Sequence, residues 1–287
     1  MKSTSRTLIN IIGVPLILGS IYLGSYLFTA LIASITILGT IEYNKLLKKS
    51  SANPSHLLIV AQIILVLTSF YITYTQTLEY PYKWNYVLWV WLCCFYLALF
   101  TISCMIIEVF RKSTTSILNI SSSVFGFVWI GIFINCLIWF RYLVGPENTL
   151  IVFISLWICD TFAFFFGKNF GKTKILPEVS PNKTIVGSFS GLLGSVIFLL
   201  IIYSDNAWSW SYLFDIIILG IITGGVSQFG DFFESKLKRE VGVKDTSNLL
   251  MGHGGILDRF DSLLIISPLL LVLAIIDTFN RLHITWL

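Results

Sequence analysis

The chain has 287 residues, 56% of them hydrophobic, 15% aromatic and only 12% charged, with a formal net charge of +4. A mean hydropathy of +0.84 means more apolar surface than a compact soluble fold of this length can hide from water, which excludes the soluble globular class and points to an integral membrane protein. No nucleic-acid partner is expected, and Cys93, Cys94, Cys104, Cys136 and Cys159, all inside apolar runs, read as small hydrophobes rather than a disulfide framework or zinc site.

Apolar runs long enough to cross about 30 Å of hydrocarbon as helix recur nine times. They cover approximately 8–25, 27–44, 57–76, 85–108, 117–140, 149–166, 186–203, 211–229 and 261–279. Lys2 and Arg6 precede the first run as in a signal peptide, but no small-residue cleavage site follows, so this run is expected to be an uncleaved first span. Strict alternation with the N-terminus inside puts sixteen of the nineteen Lys and Arg residues on the inner side, leaving Lys83, Arg141 and Arg281 outside. Cytoplasmic loops carry the excess of basic residues. The expected fold is therefore all-α and polytopic, with about nine transmembrane helices, a cytoplasmic N-terminus and an external C-terminus. Residues 1–287 read as one integral-membrane domain: N-terminal transmembrane helices over 1–145, then a C-terminal half over 146–287 with cytoplasmic loops at 167–185 and 230–260.

Two polar segments on that inner face stand out. In Trp157–Ser188, Asp160 lies toward the inner end of the sixth span, where an unpaired charge costs several kcal/mol, so a metal, substrate or pairing role outweighs a plain helix-to-helix hydrogen bond. Beyond it, GKNFGK and SPNKT set lysines among glycine, serine and threonine, a composition that lets backbone amides approach an anion. A solvated positive-inside loop explains the same residues about equally well, and no Walker-type phosphate loop is present.

The second segment, Gly230–Leu264, holds five of the nineteen basic and six of the fifteen acidic residues. Asp231 and Glu234 share a helix face at i and i+3 where the eighth span ends; Asp258 and Asp261 repeat the spacing where the ninth begins. Capping of a helix start explains one or both of the second pair. It does not explain the GHGG before them, the interleaved Lys244, Asp245 and Arg259, or the matching pair on the preceding helix. Oxygen ligands from two helix ends, with glycines and cations nearby, are what a magnesium-nucleotide site requires. His253, flanked by glycines, is read as a substrate or supporting contact. Glu42, Glu108 and Asp215 read as snorkelling or helix-end residues.

Ser235-Lys236-Leu237-Lys238-Arg239, then Lys244-Asp245, then Gly252-His253-Gly254-Gly255-Ile256-Leu257-Asp258-Arg259-Phe260-Asp261 resemble the signature of the phosphatidate cytidylyltransferases, or CDP-diacylglycerol synthases. Met251 stands where that signature has proline or a small residue. Asp160, Gly167-Lys168, Gly171-Lys172 and Ser180-Pro181-Asn182-Lys183-Thr184 also resemble the family, with Val186 in place of a frequent acidic residue. The first 140 residues match only as hydrophobic spans.

The resemblance implies condensation of CTP with phosphatidate to CDP-diacylglycerol and pyrophosphate, dependent on Mg2+, with room for a second metal or a monovalent cation, in a homodimer of the cytoplasmic (inner) membrane with its site facing the cytoplasm. In these terms Asp231 and Asp258 are metal ligands supported by Asp261 and Asp160. Lys238, Arg239, Lys244, Arg259 and Lys183, with the Ser180 and Thr184 hydroxyls, contact phosphates. Ser235 and Asn182 belong to the substrate site, and Asp245 and His253 orient the loop or the nucleotide. Two alternatives remain open: a CTP-dependent polyprenol or dolichol-type kinase, which would release CDP, and a secondary transporter, although the charge gathers at one face and no repeat is visible.

Overall fold

The computed structural model describes residues 2–75, 85–204, 210–247, 249 and 254–278. Ten α-helices follow in order: α1 Lys2–Leu23, α2 Ser25–Leu47, α3 Leu57–Thr75, α4 Asn85–Phe110, α5 Ser116–Gly126, α6 Phe133–Phe170, α7 Ile185–Ile202, α8 Trp210–Ile221, α9 Ser227–Glu240 and α10 Leu257–Thr278. Single π-helical stretches, Phe127–Ile132 and Ile222–Val226, join α5 to α6 and α8 to α9. A lone antiparallel bridge pairs Lys174 with Thr184.

Among the described residues, seven helical segments are long and apolar enough to cross a membrane, and the chain is a polytopic membrane protein. The expected runs fall on helix wherever they are described. Runs 117–140 and 149–166 lie in one apolar stretch, Ser116–Phe170, but Gly145 there is non-helical, with φ 80° and ψ 174°, ahead of Pro146. Proline lacks an amide donor yet suits the first position of a new helix, so two helices meet at a kink between these runs. In the first run, the described apolar helix covers only Ile11–Leu23.

The expected loops are shorter than the sequence suggests. Helix α6 runs on to Phe170, α9 carries its charged residues as helix to Glu240, and α10 already begins at Leu257. Residues 230–240 stay helical although polar because Lys238 neutralises Glu234 one turn earlier and the helix lies against α10.

Small residues let the C-terminal helices approach closely. A Cβ on Gly187 or Gly191 of α7 would meet the α6 carbonyl oxygens of Ala163 at 2.6 Å and Cys159 at 2.9 Å, the kind of contact that replaces hydrophobic driving force between helices in lipid. One on Gly230 would strike the Asp261 carbonyl, so α9 touches α10 backbone to backbone beside the acidic residues. Deeper in the bundle, the Thr223 hydroxyl meets Ser155 of α6 at 2.9 Å and Ser195 of α7 at 3.0 Å. These fully buried hydroxyls satisfy one another and pin the π-helical stretch that leads into α9.

Candidate active site

The acidic residues of α9 and α10 converge. Asp261 is close enough to interact with both Asp231 and Glu234, and Lys238 bridges the two helices, pairing with Glu234 at 3.5 Å and Asp258 at 2.5 Å. Lys183, from the connection between α6 and α7, pairs with Asp231 while its ammonium stands 4.5 Å above the Phe232 ring. Desolvated ammonium groups over an aromatic face gain a further attraction. Segments far apart in sequence therefore share one charge network.

Asp258 does more than offer a charge. Its Oδ2 accepts from the Gly255 amide at 2.7 Å, the Thr246 amide at 3.0 Å and the Thr246 hydroxyl at 2.8 Å, leaving Oδ1 to face Lys238. Reaching back three residues to an amide before the helix is the second half of a capping box. Gly254, at φ 81°, makes the loop's left-handed turn, and a Cβ there would press on Asp258 Oδ2 at 2.6 Å. Two glycines of the GHGG run are thus explained by the turn and by close approach.

Two cavities meet at these carboxylates. One, of about 580 Å³, is lined by Asp160, Lys168, Lys174, Asn182, Lys183, Thr184, Gln228 and Asp231. The other, of about 530 Å³, is bounded by Val14 and Ile17 of α1, Leu31, Ser34, Ile35 and Leu38 of α2, Phe153, Leu156 and Trp157 of α6, and at its polar end Asp160, Asp231, Asp258, Arg259 and Asp261. Both are in the size range of small-molecule sites. Asp160 and Asp231 line both, so a basic, polar chamber and a mostly apolar one share a carboxylate wall.

The remaining expected residues divide. Lys183 and Asn182 line the polar cavity and Arg259 the apolar one. Thr184 also lines the polar cavity, but its hydroxyl accepts the Gly187 amide at 3.1 Å and so caps α7. Ser180 serves the turn through backbone bonds with Leu176 and Lys183. Arg239 donates to the carbonyls of Val179 at 3.4 Å and Val243 at 3.1 Å, clipping the two polar segments together. Ser235 is half-buried on α9, and Lys244 and Asp245 are exposed, lining neither cavity. His253, with Met251 and Gly252, lies outside the described residues.

Glu42, at 2% exposure, does not snorkel: it accepts from Ser247 Oγ at 2.6 Å, Thr246 Oγ1 at 3.2 Å, and the Ile256 and Leu257 amides at 2.9 Å each. Glu108 (9% exposed) and Asp215 (3%) are also buried rather than snorkelling, and Glu108 keeps the helix-end place expected of it, in the last turn of α4. Gln228, which bonds to Ser188 O at 3.0 Å and faces the polar cavity, carried no motif that could have found it. The one legible signal for Glu42 was its place as the only acidic residue of α2.

A hard divalent cation fits this donor set by chemistry: several carboxylates gather here, and both Glu234 oxygens are buried without a hydrogen-bond partner. In the present arrangement lysines occupy the spaces between carboxylates, and among the described residues no group of three or more His, Cys, Asp or Glu stands at metal-holding spacing.

Residues 4–276 match the model of the cytidylyltransferase family. The chain belongs to that family. It is 31% identical over 301 residues to the phosphatidate cytidylyltransferase of Synechocystis sp., covering 93% of this chain and 94% of that protein. The enzymes of the same name from Staphylococcus saprophyticus and Staphylococcus haemolyticus are 44% and 45% identical over 134 residues. In those two comparisons the chain spans about half the length of the relative it matches, 50% in each case.

Proposed function

We propose that this protein is a phosphatidate cytidylyltransferase, condensing CTP with phosphatidate to CDP-diacylglycerol and pyrophosphate. The observation that carries the reading is the pair of cavities meeting at Asp160 and Asp231. A nucleotide triphosphate suits the chamber with Lys168, Lys174 and Lys183; an acyl-bearing lipid suits the chamber walled by α1, α2 and α6. The two reacting phosphates would then meet at the shared wall.

In this reaction a phosphatidate oxygen attacks the α-phosphorus of CTP as the bond to the β-phosphate oxygen breaks, and pyrophosphate leaves with the electron pair. A phosphate monoester has its second pKa near 6, so the nucleophile arrives charged and no side chain need act as a base. What the protein supplies is position and cations. Lys183 and Arg259, one on each cavity, would hold the two anions in contact, and Lys238 would keep Asp258 and Glu234 from repelling them. Mg2+ supplies charge neutralisation on the triphosphate when bound. Asp231 and Asp261 are the side chains best disposed to hold it, with Asp258 through Oδ1, Asp160 and the Glu234 oxygens, which have no hydrogen bond, alongside; a second metal or a monovalent cation would draw on the same set.

The same proposal includes nine membrane crossings, a cytoplasmic N-terminus and an external C-terminus, supported by the sixteen-to-three distribution of basic residues. It further includes an inner-membrane location with both polar segments on the cytoplasmic side, a catalytic half over 146–287 and a homodimeric assembly. Purified full-length protein given labelled CTP, phosphatidate and Mg2+ should release pyrophosphate and form a labelled lipid. Release of CDP with label left out of the lipid would instead favour a lipid kinase.

A further inference from the structure

Helix α10 begins with backbone amides that have no partner within the helix, a cost that every helix start must meet. Here the partners come from two carboxylates. Asp258, on α10 itself, takes the Gly255 amide. Glu42, on α2, takes the next two, Ile256 and Leu257. The same Glu42 carboxylate accepts the Ser247 hydroxyl, and the Thr246 hydroxyl stands with its one proton between two acceptors, Asp258 Oδ2 at 2.8 Å and Glu42 Oε2 at 3.2 Å. A continuous chain thus runs from Glu42 through Thr246 to Asp258 and Lys238.

An independent feature marks the contact as close-built. A Cβ on Gly255 would collide with Thr246 Oγ1 and with both Glu42 carboxylate oxygens, so glycine is needed there for the α2 carboxylate to enter. The contact joins positions 214 apart in the chain and ties the N-terminal helices to the loop that presents Asp258.

We propose that Glu42 is a positioning residue for the cytidylyl transfer: from α2 it fixes Thr246, Ser247 and the first turn of α10, and thereby holds Asp258 and Lys238 in register with Asp231 and Glu234. The role rests on the functional reading above, and it gives α2 a part in catalysis as well as a wall of the apolar cavity. The requirement is for acceptors. Glutamine has the same shape but replaces one oxygen by an amide donor, which then faces the Ile256 or Leu257 N–H. Aspartate keeps two acceptors on a shorter stem and retains part of the set.

The test uses full-length protein purified in detergent, as wild type, Glu42→Gln, Glu42→Asp and, as a buried carboxylate remote from the site, Glu108→Gln. Hydrogen–deuterium exchange is read on peptides spanning 246–258, and kcat and KM are read with CTP, phosphatidate and Mg2+. For Glu42→Gln the 254–258 amides should exchange faster and kcat should fall about 10- to 100-fold, the scale of a small misplacement of catalytic groups, while the phosphatidate KM stays within about threefold. Glu42→Asp should fall between wild type and Glu42→Gln, and Glu108→Gln should keep wild-type kcat per folded molecule. Unchanged exchange in Glu42→Gln overturns the contact. Faster exchange with wild-type kcat, or a higher kcat in the isosteric glutamine than in aspartate, overturns the positioning role in favour of simple packing. A wild-type protein that forms no CDP-diacylglycerol would sink the functional reading instead, and the exchange measurement would still decide the contact.

Discussion

Two groups of buried carboxylates sit in this bundle and are satisfied in opposite ways. Near the end of α4, Glu108 meets Arg111 at 2.7 Å and the Asn119 amide at 3.3 Å. One carboxylate, one guanidinium and one amide close on themselves, and Glu108 lines neither large cavity. On α9 and α10, Asp231, Glu234 and Asp258 meet Lys183 and Lys238 in ion pairs beside Asp261, both Glu234 oxygens lack a hydrogen bond among the described residues, and Asp231, Asp258 and Asp261 line the cavities. A structural carboxylate brings its own neutralisation, because leaving a buried charge unpaired costs several kcal/mol. An excess of negative charge around open space is what remains when part of the neutralisation is to arrive with a ligand.

Substitutions can sharpen or break this contrast. The largest effect is expected for Asp231→Asn, which keeps shape but removes the charge shared by both cavities: turnover should drop about 10²- to 10³-fold, the scale of losing one group that stabilises developing charge, measured as CDP-diacylglycerol formed per folded molecule. Near wild-type turnover would put Asp231 in the same class as Glu108. An intermediate effect is expected for Ser34→Trp, which fills the apolar cavity from α2. The KM for long-chain phosphatidate should rise about tenfold, as when a hydrophobic pocket loses room for a methylene or two, with that for a short-chain analogue and for CTP little changed. An equal effect on CTP would contradict the division of the cavities. The smallest effect on activity belongs to Glu108→Gln, which should lower stability by about 1–3 kcal/mol, as for a buried hydrogen-bonded charge losing its match, seen as a lower Tm with unchanged turnover per folded molecule.

Much of the site was legible because its parts lie close in sequence. Asp231 with Glu234 and Asp258 with Asp261 share helix faces by spacing alone, and glycines before a helix start announce a tight turn. The role of Asp258 as a hub of three accepted hydrogen bonds was half visible, since an acidic residue in a first helical turn is a known capping partner. That its amide is Gly255, and that the next two amides belong to Glu42, was not visible. Glu42 reads in sequence as a polar residue near the end of a span, and only its distance from water separates a snorkelling side chain from a buried acceptor. Thr184 adds a role that its loop did not announce: its hydroxyl oxygen accepts the Gly187 amide at the start of α7, while its O–H donor remains for the polar cavity that it lines.

By itself the sequence determined that this is a helical membrane protein, where its apolar runs lie, and which short segments hold the chemistry, because hydrophobicity, charge and helical periodicity are local properties. Only the tertiary structure decided where helices kink or change winding, with a non-helical Gly145 inside Phe133–Phe170 and a π-helical stretch before α9, since such breaks depend on which neighbour satisfies the freed backbone. It also decided that Lys183 and Asp160 line the cavities, while Lys238 and Glu42, from two other segments, hold Asp258 and the start of α10 behind them. Charges in an apolar bundle stand where partners on other helices can neutralise them, and the chain sets those partners only when it folds.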